Sequence, residues 1–219
     1  VGLAMHHDDW RHRADIPLRR ELKAQRAAHL QGPKISIIVP LYNTPAKLFD
    51  EMLQSVVRQT YTNWELVLVD ASDAEKRLER RLPKAVPGTI VYEPIENGGI
   101  ALNTTRGFAL THGEYITLLD HDDVLYPNAL FEVVQTIQNT GADFVYSDEI
   151  VLSADLKELG GYHFKPDFAP DYLRGVNFIT HLAVFSRPLL DAAGAYESKE
   201  FDGAQDHDLI LRLTEKAQR

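Results

Sequence analysis

From Ile35 onward, short β-branched apolar runs alternate with stretches whose apolar residues recur at helical spacing, and this alternation leaves few architectures open. Ile35 to Val39 reads as a strand. Thr44-Pro45 then caps and opens a helix carrying Leu48, Met52, Leu53, Val56 and Val57. Glu65 to Val69 is the next strand, followed by a charged helix around Ala74 to Leu82 and a strand at Thr89 to Tyr92. After the turn Asn97-Gly98-Gly99 come a helix from about Ala101 to Thr111, a strand that begins at Tyr115 and ends at Asp120, a helix from Pro127 to Asn139, and a short strand at Asp143 to Tyr146. Repeated strand–helix–strand units imply an α/β fold: a mostly parallel central sheet flanked by helices on both faces.

In such a sheet ligands bind beyond the carboxyl ends of the strands. Polar clusters stand at those ends: Pro40-Leu41-Tyr42-Asn43, Asp70-Ala71-Ser72-Asp73, Asn97-Gly98-Gly99 and Asp120-His121-Asp122-Asp123. Each has a bland explanation as a turn or a helix cap. Their recurrence along one sheet edge favours a ligand site. Three carboxylates directly after the apolar run Tyr115 to Leu119 need counter-charge, which a divalent metal held against a phosphorylated ligand would supply. Asp70 offers an acceptor for a base N–H, and Tyr42 offers a ring face for base stacking.

Charge narrows the classes further. A net charge of -9 opposes a general nucleic-acid binder, so no nucleic-acid partner is expected. Residues 1–34 carry +3 and the remainder -12, which sets the N-terminal stretch apart. Its Leu18, Leu22 and Leu30 with Arg19, Arg20, Lys23 and Arg26 give a basic amphipathic helix ending at Gly32-Pro33. The expectation is that residues 1–33 form a basic helical extension packed on the following domain, with peripheral contact to an anionic membrane as the other reading. His6-His7-Asp8-Asp9 resembles a metal cluster only superficially. The absence of cysteine is compatible with a reducing cytoplasm, and no apolar run has the length of a bilayer span. A soluble cytoplasmic protein is expected, with the cytoplasmic face of the inner membrane as a further setting.

The segments ISIIVPLYNTP, SVVRQTYTNWELVLVDAS, ENGGIALNTTRGFALTHGEYITLLDHDDVLYPNAL, YSDE, FKPDFAPDYL and GAQDHDLILRLTEKA, in that order over residues 34–219, resemble the glycosyltransferase family 2 catalytic domain. The resemblance implies a GT-A fold, a nucleotide-diphospho-sugar donor of UDP or dTDP type, a divalent cation (Mn²⁺ or Mg²⁺) and inversion at the anomeric carbon. Its subgroup is similar to bacterial enzymes of surface polysaccharides, including rhamnosyltransferases, with glycan or lipid-linked acceptors. By the same resemblance Pro40 and Tyr42 embrace the base, Asp70 reads it, Asn97 and Gly98 belong to the donor loop, and His121 approaches the ribose. Asp120 and Asp122 form the metal-binding Asp-x-Asp pair, with Asp122 ranked first and Asp123 supportive.

In Gln205-Asp206-His207-Asp208 the resemblance makes Asp206 the general base toward the acceptor hydroxyl. Gln205 stands where a Glu is commoner, and Thr105 where an Asn is. The acceptor side is expected to include Asp148, Glu149, Phe168, Asn177 and His181. Related proteins continue past the equivalent of Arg219 into a strand and a histidine that completes the metal site, so the 34–219 domain is expected to be truncated within a longer parent chain with other domains. Competing expectations are a sugar-nucleotide pyrophosphorylase, whose glycine-rich triphosphate loop is missing after the first strand, and a non-catalytic carbohydrate-binding or assembly domain. A dinucleotide oxidoreductase is weaker, since no G-x-G-x-x-G opens a helix.

Overall fold

The computed structural model describes residues 19–153, 156–195 and 203–219, so His6-His7-Asp8-Asp9 and Leu18 lie outside the described residues. In chain order the elements are helix α1 (residues 19–28), β1 (Ile35–Leu41), α2 (Ala46–Val57), β2 (Trp64–Asp70), β3 (Thr89–Pro94), α3 (Ile100–Leu110), β4 (Tyr115–Leu118) and α4 (Ala129–Thr140). The second half holds β5 (Phe144–Tyr146), β6 (Glu149–Leu152), β7 (Leu159–His163), α5 (Pro170–Gly175), β8 (Ala183–Ser186), α6 (Arg187–Ala193) and α7 (Gln205–Lys216).

Six strands form the central sheet in the order β3-β2-β1-β4-β8-β5. The first four are parallel, and β8 runs antiparallel between β4 and β5. Alternate residues of β1 serve opposite faces, as the period of a strand requires. Ile35, Ile37, Val39 and Leu41 join Phe49, Met52, Leu130 and Val134 of α2 and α4 in one core. Ile38 joins Val67, Val69, Phe108, Leu189 and Leu213 in the other. Gly107 permits the second packing, because a Cβ there would stand 2.4 Å from Ile38 Cγ2. The expected α/β architecture with helices on both faces is therefore present. The order of neighbours reverses between β1 and β4, the switch point beyond which an open α/β sheet leaves a crevice.

Three local expectations need correction. The charged helix around residues 74–82 is two short 3₁₀ turns, Ala74–Lys76 and Glu79–Arg81, separated by extended Arg77. Leu78 and Leu82 turn onto the core and Arg81 pairs with Asp50, so tertiary contacts override strong local helix propensity. Thr44 does not cap α2: Pro45 holds the N-cap position, and the Thr44 hydroxyl is buried without a hydrogen-bond partner. Strand β4 ends at Leu118, so Asp120 already belongs to the loop.

The N-terminal segment packs on the domain that follows it. Gln25 donates to Glu132 of α4 (2.8 Å) and accepts from Thr60 (2.9 Å). Tyr61 donates to the carbonyl of Pro33 (2.7 Å), Asn63 to that of Gly32 (2.9 Å), and Leu30 lies against the core. Among the described residues no helix is long and apolar enough to cross a membrane.

Candidate active site

The loops after β1 and β2 are bound into one unit. The Ala71 amide donates to the Leu41 carbonyl (2.9 Å) and the Asn43 amide to the Ser72 hydroxyl (2.7 Å). The side chains of Asn43 and Asp73 are joined through Asn43 Nδ2 (3.1 Å), with the Asp73 amide returning to Asn43 Oδ1 (3.2 Å). Asn43 takes a positive φ of 51°, a conformation that Asn tolerates better than most residues. Pro40 closes β1, and Tyr42 stands beyond it with an exposed ring. Asp70, the last residue of β2, is closed to solvent. It accepts from the Ser72 amide (2.9 Å) and from the Tyr92 hydroxyl. Burial and the Asp70 carboxylate together push the Tyr92 phenol up, so it stays a donor.

The turn after β3 is held by its own side chains. Asn97 Oδ1 accepts from the Gly99 amide (3.0 Å) and from Asn103 Nδ2 (3.1 Å), while Asn103 Oδ1 accepts from the Gly98 amide (2.9 Å). Gly99 supplies the positive φ of the turn, at 92°.

After β4 the chain turns sharply, and its carboxylates meet a histidine from a distant part of the sequence. Ligand atoms of Asp120, Asp123 and His181 all lie within 4.8 Å of one another. His181 Nε2 is 3.4 Å from Asp120 Oδ2 and 3.7 Å from Asp123 Oδ2. Asp122 stands at the rim, more exposed, with His121 Nδ1 3.9 Å from its carboxylate. Partial burial raises the Asp120 carboxyl above its ordinary range; Asp206 and Asp122 raise it further, and His181 opposes them. Asp123 is raised likewise by burial and by Asp120, Asp122 and Glu149, again against His181. Crowded carboxylates that resist ionisation are stabilised by a cation, and two carboxylates with an imidazole are a donor set that suits Mn²⁺ or Mg²⁺.

Asp206 lies in the first turn of α7, close enough for its charge to act on Asp120, and burial raises its own carboxyl. Ala204, not Asp206, holds the N-cap position. Asp208, two positions on, is occupied by Arg212, whose Nη2 is 2.8 Å away. Of the two acids only Asp206 is brought to the metal-type cluster.

The acceptor-side expectations divide. His181 joins the cluster. Asp148 Oδ1 accepts from the Lys165 amide (2.8 Å), and both Glu149 oxygens have internal partners, His163 (2.7 Å) and Thr180 (2.9 Å). Asn177 accepts from the Thr180 amide (3.4 Å), Tyr172 stacks on Phe178, and Phe168 is half exposed.

Beside the cluster opens a cavity of about 490 Å³ lined by Asp123, His181, Asp148, Glu149, Tyr162 and Phe164. The rings of Tyr162 and Phe164 are stacked 5.5 Å apart and nearly parallel at the end of the β6–β7 ribbon. Sequence reading assigned no role to this pair or to Lys165. The i, i+2 spacing of two aromatics flanking His163 was the available signal, since it puts both on one face of a strand.

Residues 36–188 match the family described as Glycosyl transferase family 2. Among curated relatives, the O-antigen biosynthesis protein RfbC of Myxococcus xanthus is 35% identical over 204 residues, which is 91% of this chain and 16% of that protein. The chain spans 21% and 16% of the length of the first curated relatives it matches. Among solved structures, Staphylococcus aureus TarS 1-349 in complex with UDP-GlcNAc superposes with a TM-score of 0.67 at 20% identity, covering 85% of this chain and 54% of that one. The mannosyltransferase PcManGT of Pyrobaculum calidifontis, in complex with GDP-Man and Mn²⁺, gives 0.56 at 23% identity, covering 90% and 59%. The strand order, the acidic loop after β4 and the extent of the match agree: the chain has the GT-A fold and belongs to glycosyl transferase family 2.

Proposed function

We propose that this chain transfers a glycosyl group, with inversion, from a UDP- or dTDP-linked sugar to a glycan or lipid-linked acceptor in the assembly of a bacterial surface polysaccharide. The observation that carries the reading is the meeting of Asp120, Asp123 and His181 beyond β4, with the buried acid Asp206 facing them from α7. RfbC supports the polysaccharide setting, the UDP-GlcNAc complex of TarS the donor class, and the Mn²⁺ of PcManGT the ion.

In this reading the Tyr42 ring and the Asp70 carboxylate hold the base, and the turn at Asn97 and Gly98 borders the donor. Asp120, Asp123 and His181 would hold the divalent cation, with Asp122 adjoining. When bound, the cation supplies positive charge for the departing diphosphate. Asp206 accepts the proton of the acceptor hydroxyl as that oxygen bonds to the anomeric carbon. The anomeric carbon–oxygen bond to the diphosphate breaks, and its electron pair leaves with the nucleoside diphosphate. A single displacement of this kind inverts the anomeric centre.

Calorimetry with UDP tests the binding half. Binding is expected to tighten with Mn²⁺ and to lose that gain in chelator; Asp123→Ala should abolish the gain, and Asp70→Ala should weaken UDP with or without metal. Equal UDP affinity with and without Mn²⁺ would remove the metal from the reading. Product analysis tests the chemistry: release of UDP with an inverted glycoside is expected, whereas release of pyrophosphate would mean nucleotidyl transfer instead.

A further inference from the structure

Lys165 is buried to 1% side-chain exposure immediately beyond the β6–β7 ribbon, and such a charge persists only with partners. It has three acceptors. Its ammonium donates to the carbonyls of Ile179 and His181, and Glu149 Oε2 lies 3.4 Å away. Glu149 is equally committed: Oε2 accepts from Thr180 Oγ1 (2.9 Å) and Oε1 is 2.7 Å from His163 Nδ1. The network thus joins the base of the ribbon, where Glu149 pairs with His163 in register, to the backbone on both sides of Thr180. The residue this backbone presents is His181, whose imidazole faces Asp120 and Asp123. Nothing else printed for His181 fixes its backbone.

We propose that Lys165, braced by Glu149, is a positioning residue that holds His181 in the Asp120–Asp123–His181 cluster and thereby sets how tightly the chain takes up a divalent cation. Glu149 then serves as a strut and not as a contact to the acceptor. The inference rests on the reading that this cluster holds the ion. Residues that orient a metal ligand are typically worth about 10–100-fold in metal affinity.

The test is Mn²⁺ affinity in the presence of UDP, followed by the paramagnetic resonance of the free ion, so that no turnover is needed. Lys165→Met is expected to weaken binding by about tenfold or more. His181→Ala should weaken it at least as much, and the double variant should be no weaker than His181→Ala alone, because residues acting through one ligand are not additive. Should Lys165→Met fail to fold, Thr180→Val removes one strand of the same brace without uncovering a charge, and a loss of several-fold is expected there. Wild-type affinity in Lys165→Met, in Thr180→Val where that variant carries the test, or additive losses in the double variant, would overturn the proposal and leave the metal reading standing. A wild-type chain that binds no Mn²⁺ would overturn that reading and the strut with it.

Discussion

At the residue scale the site sorts its acids by their partners. Asp208 is neutralised by Arg212, Glu149 by its brace and Asp70 by Tyr92 and Ser72, whereas Asp206 faces Asp120 and His181. An acid at that position with a raised carboxyl is suited to accept a proton. Asp206→Asn should therefore keep UDP–Mn²⁺ affinity within about twofold while lowering transfer by roughly 100-fold or more. Calorimetry and a radiolabelled-donor assay on the same preparation check this. Near-normal transfer would move the base role elsewhere, and a parallel fall in binding would make Asp206 a support of its helix. The sequence placed Asp206 and the acidic loop correctly at element ends, because carboxylates beside an apolar run are visible locally. It could not show that Asp123 faces His181, since the two meet only through the loop after β4 and the segment before β8.

At the element scale, the sheet is pinned at the end opposite the site. Glu65 is 3% exposed and accepts from the Ser36 hydroxyl (2.6 Å), the Gly113 amide (3.0 Å) and the His112 amide, joining β1 and β2 to the turn before β4. Burial alone would raise this carboxyl, but these donors overcome it and hold it below its ordinary value of 4.5. A carboxyl depressed by folding adds stability that is fully present above its unfolded pKa and is lost as pH falls through the folded one. Acid titration of unfolding should show this loss below about pH 4. Glu65→Gln should be less stable at pH 7 by about 1–3 kcal/mol and show a shallower acid limb. Unchanged urea midpoints at both pH values would refute the pin.

Elements were legible where period and length were strong. β1 and β2 are seven-residue buried strands, and α2 and α4 carry clear apolar faces. β6, β7, β8 and α6 went unread because each is seven residues or shorter, too short for a period to emerge. The start of α6 did carry a local sign: Ser186 accepts from the Leu189 amide as its N-cap.

At the scale of the whole molecule, the segment before β1 is part of the packing and not merely an appendage. Gly32 approaches so closely that a Cβ there would stand 2.6 Å from Val134 Cγ1, and Leu30 covers the core beside it. Removing residues 1–33 should uncover Val134 and Tyr61 and lower the thermal midpoint by about 2–4 °C for each kcal/mol lost. Scanning calorimetry of the shortened chain beside the full one measures this. Identical midpoints would restore the picture of a separate extension. The basic face of α1 was legible in the sequence, but its docking by Gln25 on Glu132 was not, because the partners lie 107 residues apart.

The order of the sheet also separates the duties of the chain. The strands from β1 to β4 form one consecutive parallel block that carries Tyr42, Asp70 and the Asn97 turn, whereas His181, Lys165 and Asp206 arrive with later elements. The two blocks meet at the β4–β8 pairing and at the acidic loop. Inheritance can therefore act on them unequally. Changes in the later block can retune what receives the sugar while the earlier block keeps its nucleotide, which gives one scaffold a combinatorial route to new linkages.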